Sequence, residues 1–170
     1  FKLTNVSDHT ITNKGTLTIE GSGTVDNISH GRAAVFNDVS GTVILNGGTY
    51  TRSKEAGTDA GNSGGNSYYN IVNWGTMTIN TGVEVNHTGH FSSMIENGFS
   101  DGSKQSTNPK LTINGGTFSG GLNTVKNDDR GVLEIKNGTF ANVSQAAVLN
   151  WNEATIDGGE FQANAGAQAV

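Results

Sequence analysis

The chain has 170 residues, among them 25 Gly, 21 Asn and 20 Thr, with no Cys and a formal net charge of −5. Ten Lys and Arg against fifteen Asp and Glu argue against a nucleic-acid surface. The lack of Cys excludes disulfides, thiolate zinc sites and thiol catalysis, and no stretch reaches the roughly 18 apolar residues of a membrane-spanning helix.

One unit recurs along the chain: an apolar residue, any residue, Asn, a short turn, a strand with two apolar residues, a Gly-rich turn, then an aromatic residue or Val. The first copy occupies 11–25 and the second 35–50. A Gly/Ser/Asn-rich insertion, 51–67, precedes the third copy at 71–85. The fourth begins at 95–97, is interrupted by a second insertion, 98–110, and resumes at 111–118; that insertion holds the only Pro. The fifth spans 125–140 and the sixth 148–161. The shared Asn falls at Asn13, Asn37, Asn73, Asn97, Asn127 and Asn150, with spacings of 24, 36, 24, 30 and 23 that return to about 24 without the insertions. Insertions confined to turns are what a solenoid tolerates. Residues 165–170 read as the start of another unit, so 1–170 is expected to be a single domain cut from something longer. Unpaired strand edges at such a cut predict weak end-to-end self-association.

Inside each unit the period is two. In 17–19, 77–79, 111–113 and 133–135, apolar residues flank a Thr or Glu, which puts both on one face of a strand. Gly-Gly, Asn-Gly and Asp-Gly pairs end the strands, and no helical periodicity extends over ten residues. A unit of about 24 residues with so few apolar groups cannot bury them alone, but stacked copies can. Ile11, Val35, Ile71, Ile95, Val125 and Val148 would form one interior column. Leu17, Val43, Met77, Leu111, Leu133 and Ala154 would form a second, and Ile19, Leu45, Ile79, Ile113, Ile135 and Ile156 a third. Val25, Tyr50, Val85, Phe118, Phe140 and Phe161 would close the last corner. The six Asn would stack, each amide donating to its equivalent one coil on. This is an all-β parallel β-helix of about six coils. An antiparallel sandwich, which also uses short strands and Gly turns, fits the in-register Asn less well.

The repeated "LTINGGTF" unit (111–118) resembles the right-handed parallel β-helix of the pectin-lyase-like superfold. More narrowly it is similar to the GGTF and GGTY repeats of adhesin-like surface proteins of Gram-positive bacteria. The resemblance covers residues 9–161 at least. It implies the fold; the superfold hosts lyases, polygalacturonases, phage tailspikes and non-catalytic adhesins, so it implies no single chemistry.

The enzyme reading rests on Asp128, Asp129 and Arg130, in the corner after Asn127, where neighbouring coils offer Trp74, Gly98 and Trp151. Carboxylate-pair hydrolysis needs two acids on one face, one with a raised pKa. The nearest further acid along the chain is Glu134, and adjacent Asp residues are ordinary turn chemistry. No calcium cage converges, and His87 and His90 are two imidazoles without a third ligand, so no metal and no cofactor are expected. The binding reading rests on Trp74 and Trp151, which both follow a ladder Asn, and on Tyr68 and Tyr69 beside the first insertion. Aromatic faces on a groove stack on sugars or pack against a protein. The two insertions emerge from neighbouring coils and could meet over one face. The expectation is a non-catalytic module of a bacterial cell-surface or secreted, extracellular adhesin-like protein, its partner a host surface protein or a glycan, with no nucleic acid and no membrane insertion. A carbohydrate-active enzyme of the superfold and a phage tailspike or fibre segment stay open as alternatives.

Overall fold

The computed structural model describes residues 1–29, 31–53, 69–87, 92–164 and 166. Strand β1 (Lys2–Asn5) precedes six coils of three strands each. The first coil holds β2 (Ile11–Asn13), β3 (Thr16–Ile19) and β4 (Thr24–Asn27), and the second β5 (Val35–Asn37), β6 (Thr42–Leu45) and β7 (Gly48–Thr51). The third holds β8 (Ile71–Asn73), β9 (Thr76–Ile79) and β10 (Val83–His87), and the fourth β11 (Ile95–Asn97), β12 (Lys110–Ile113) and β13 (Thr117–Gly120). The fifth holds β14 (Asn123–Asn127), β15 (Val132–Ile135) and β16 (Thr139–Val143), and the sixth β17 (Ala146–Asn150), β18 (Glu153–Ile156) and β19 (Glu160–Ala163).

Equivalent strands pair in parallel, which makes three sheets: an Asn sheet β2-β5-β8-β11-β14-β17, a middle sheet β3-β6-β9-β12-β15-β18, and a third sheet β1-β4-β7-β10-β13-β16-β19. The chain is a right-handed parallel β-helix. No α-helix occurs among the described residues.

The pairing register reproduces the columns read from the sequence. Ile11, Val35, Ile71, Ile95, Val125 and Val148 stack in the Asn sheet. Leu17 through Ala154 and Ile19 through Ile156 stack in the middle sheet. Val25, Tyr50, Val85, Phe118, Phe140 and Phe161 also stack as expected. They do not merely close a corner, however. They are the inward residues of a full seven-stranded sheet, because each Gly-rich turn leads into a strand of four or five residues that pairs with its equivalent in the coil below. Phe118, Phe140 and Phe161 lie face to face with ring centroids 4.7 Å apart, which is the coil spacing itself. Strand β1 extends the third sheet below the first repeat, beyond the expected span of the repeats.

The Asn ladder runs through the interior. Asn13 Nδ2 donates to Asn37 Oδ1 at 2.9 Å, Asn37 to Asn73 at 2.8 Å, Asn73 to Asn97 at 2.8 Å, Asn97 to Asn127 at 2.7 Å and Asn127 to Asn150 at 2.7 Å. The same nitrogens also reach backbone carbonyls at the first residue of the next coil's middle strand: Thr42, Thr76, Lys110, Val132 and Glu153. The amide thus ties together two coils and the bend between two sheets. A second, outer ladder was not anticipated. Asn114 Nδ2 donates to Asn80 Oδ1 at 2.8 Å, Asn80 to Asn46 at 2.7 Å, and Asn46 to Glu20 Oε1 at 3.3 Å. Its polarity is opposite: the later coil donates to the earlier one.

The turn after the ladder Asn leaves no room for a side chain. A Cβ on Gly41 would lie 2.0 Å from Asn37 Oδ1, whereas one on Gly15, its equivalent in the first coil, meets nothing within 4 Å.

Two substitution pairs test this account. Asn97→Ala strands the Asn127 and Val132 acceptors and is expected to cost about 3–5 kcal/mol in urea unfolding. Asn150→Ala, at the exposed end of the ladder, should cost about 1 kcal/mol or less; equal losses would contradict the ladder's role. Gly41→Ala should destabilise by about 2–4 kcal/mol while Gly15→Ala stays within about 0.5 kcal/mol.

Candidate functional site

The outer face of the Asn sheet carries the side chains singled out from the sequence. The residue after each ladder Asn falls in one column, because its backbone N–H donates to the ladder carbonyl of the preceding coil: Asp38 to Asn13, Trp74 to Asn37, Gly98 to Asn73, Asp128 to Asn97 and Trp151 to Asn127. Trp74 and Trp151 are therefore three coils apart, roughly 14 Å at the 4.7 Å coil spacing.

Their surroundings differ. Trp151 is 67% exposed. Trp74 is half-buried between Phe36, edge-on at 4.9 Å, and Phe99, tilted at 5.5 Å. Phe36 stacks in turn on His9 at 4.8 Å. An aromatic row, His9–Phe36–Trp74–Phe99, so climbs the face over four coils. His9 is fixed there by accepting the Ala33 N–H at Nδ1, 2.9 Å, and burial lowers its pKa. The row was missed in the sequence because Phe36 and Phe99 occupy different places in their units. Tyr69 is buried beside Ala33 and Val72. Tyr68 and His90 lie outside the described residues, and His87 is buried.

The three residues of the enzyme reading go separate ways. Asp128 is buried and pairs with Lys126, and its Oδ1 accepts the Asp129 N–H at 3.1 Å. Asp129 Oδ2 accepts the Gly102 N–H at 3.1 Å, and its backbone forms an antiparallel bridge with Phe99. Arg130, at φ 63°, donates from Nε to the Gly102 carbonyl at 2.8 Å. Asp129 and Arg130 thus clamp the second insertion to the fifth coil. Gly98 is where that insertion leaves: its φ is +115°, and a Cβ would lie 2.8 Å from the Asp128 and Asp129 carbonyl oxygens.

The acid that faces Asp128 is Glu96, not Glu134. Glu134 lies on the middle sheet, 3.4 Å from Lys136. Glu96 sits on β11, between register partners Val72 and Lys126, and is only 6% exposed. Burial, then the charge of Asp128, push its pKa up to about 7, against the opposing pull of Lys126 and Tyr69. Burial likewise pushes Tyr69 up. The alternation in "IEN" marks Glu96 as outward-facing, but nothing local shows that an outward position is covered. Among the described residues no three His, Cys, Asp or Glu side chains gather to hold a metal ion.

The face therefore joins a half-buried aromatic row, a buried acid–base cluster of Tyr69, Glu96, Lys126 and Asp128, and one exposed Trp. Residues 54–67 of the first insertion lie outside the described residues; Tyr69, just after it, shares a cluster with Trp74, and Phe99 of the second insertion reaches Trp74. In comparisons with family models, with curated proteins and with solved structures, nothing matches the chain.

Removing the clamp should free the insertion without unfolding the coils. Asp129→Ala is expected to speed tryptic cleavage at Lys104 about tenfold, with a nearly unchanged unfolding midpoint. An unchanged cleavage rate would show that Asp129 does not hold the segment.

Proposed function

We propose that the chain is a non-catalytic β-helix module of an adhesin-like protein, extracellular and either bacterial cell-surface-bound or secreted, which holds contact residues on a stiff scaffold. The observation that carries this reading is the use made of Asp129 and Arg130: Asp129 Oδ2 and Arg130 Nε bond the Gly102 backbone of an insertion while Asp128 pairs with Lys126, so the Asp128–Asp129–Arg130 group presents no paired carboxylates to a substrate. The resemblance of the GGTF and GGTY repeats to Gram-positive surface proteins supports the cellular setting. The contact residue is Trp151, whose ring is free to stack on a sugar. Trp74 supports the face from beneath, wedged between Phe36 and Phe99.

The reading is tested by screening the chain on an array of host and bacterial glycans, with immobilised host matrix proteins alongside. Glycan binding that weakens at least tenfold in Trp151→Ala is the expected result. Binding that is indifferent to Trp151, or confined to the matrix proteins, would overturn the sugar contact. Unsaturated product or new reducing ends from polygalacturonate with calcium would overturn the non-catalytic assignment.

A further inference from the structure

We propose that Asn137 is a self-modification site: the backbone nitrogen of Gly138 attacks its side-chain amide, and the residue is converted to aspartate or isoaspartate without an enzyme.

The chain contains four Asn-Gly pairs, at 46–47, 97–98, 114–115 and 137–138. In each, glycine carries no side chain to shield its amide nitrogen. The fold treats the four differently. Asn97 is buried in the inner ladder, where its Nδ2 donates to Asn127 Oδ1 at 2.7 Å and to the Val132 carbonyl at 3.1 Å. Asn114 Nδ2 donates to Asn80 Oδ1 at 2.8 Å, and Asn46 Oδ1 accepts from Asn80 Nδ2 at 2.7 Å. These three side chains are held against a neighbouring coil. In the fifth coil Lys136 takes the outer-ladder place, and Asn137 stands one residue later, where the second and fourth coils have Gly47 and Gly115. Asn137 is therefore out of the column, and it is exposed. Its Oδ1 accepts the Gly138 N–H at 2.9 Å, so the nucleophile already lies against the group it attacks. Among the described residues nothing holds its Nδ2. A cleft of about 210 Å³, bordered by Thr81, Thr117, Asn137 and Thr139, opens the same corner to water.

Hydroxide takes the Gly138 amide proton, and the nitrogen attacks Asn137 Cγ. A new C–N bond closes a succinimide ring, the Cγ–Nδ2 bond breaks, and ammonia leaves with a proton from water. A second water opens the ring. Addition at Cγ gives aspartate; addition at the Asn137 main-chain carbonyl gives isoaspartate, whose backbone runs through Cβ and is longer by a methylene. That extra length falls where the Thr139 N–H donates to the Gly116 carbonyl at 3.0 Å and the Glu160 N–H to the Gly138 carbonyl at 2.8 Å. Isoaspartate thus loosens the third sheet between β13, β16 and β19.

The test incubates the whole folded chain at mildly alkaline pH and cleaves it after glutamate at acid pH. Mass spectrometry then follows the amide-to-acid change at each Asn-Gly pair, and electron-transfer fragmentation locates isoaspartate. Conversion at Asn137 is expected to run about tenfold or more ahead of Asn46, Asn97 and Asn114, at a rate proportional to hydroxide. In guanidinium chloride the four rates should converge, a comparison that needs no variant. Asn80→Ala removes a partner from both Asn46 and Asn114 and should speed conversion at those two while leaving Asn137 unchanged. Conversion at Asn137 no faster than at the other three in the folded chain, a ranking that survives unfolding, or Asn46 and Asn114 that stay slow in Asn80→Ala would overturn the proposal.

Discussion

The structure depends on a single demand: a buried primary amide has two protons to place and a carbonyl to satisfy, and leaving any of them unpaired costs about 1–3 kcal/mol, a large share of a small protein's margin of stability. Placing Asn at one corner of every coil meets that demand in only one register. Each Nδ2 must find the Oδ1 of its equivalent above and a backbone carbonyl across the bend. A slip of one residue in any coil would turn the Asn outward and leave the neighbouring amides unpaired. The apolar columns follow from the register that the amides impose. The turn glycines follow too, since the amide oxygen of Asn37 fills the space where a Cβ of Gly41 would stand.

That is why so much of the interior was legible in the sequence. Asn at 13, 37, 73, 97, 127 and 150 fixed the phase, and alternation at 17–19 or 133–135 fixed the facing. Where legibility failed, the cause was long-range. The residues around Phe118 and Phe140 looked like a corner because their strands are short and follow Gly; that they pair as a sheet depends on the coil beneath. The outer ladder of Asn46, Asn80 and Asn114 follows an Ile or Leu in three consecutive coils, but Glu20, Lys136 and Asp157 take its place in the others, so no repeat through the whole chain draws notice to it. Glu96 was invisible for another reason. Its strand alternation assigns it to solvent, yet it is buried, and no local pattern in the chain announces that cover.

The two kinds of surface position have different physical status. Inside, every coil repeats the same solution. Outside, on the Asn sheet, no two coils agree: Thr12, Phe36, Val72, Glu96, Lys126 and Leu149 occupy one register column. A scaffold whose stability is settled internally tolerates such variety on its outer face. The same freedom admits an ionisable cluster, which would be ruinous among the stacked Ile and Leu side chains but is tolerable on the outer face, where Lys126 pairs with Asp128.

The direction of the hydrogen bonds has a mechanical consequence. Inter-strand bonds, like the amide ladders, point along the axis of the coil, from one turn to the next. Tension applied along that axis therefore loads one turn at a time, as in opening a zipper, and does not shear whole sheets at once. Each turn that yields pays out about 24 residues, on the order of 80 Å of chain at ~3.4 Å per residue. A thread built this way lengthens in steps under a pull and rewinds when slack, with the remaining turns serving as the template.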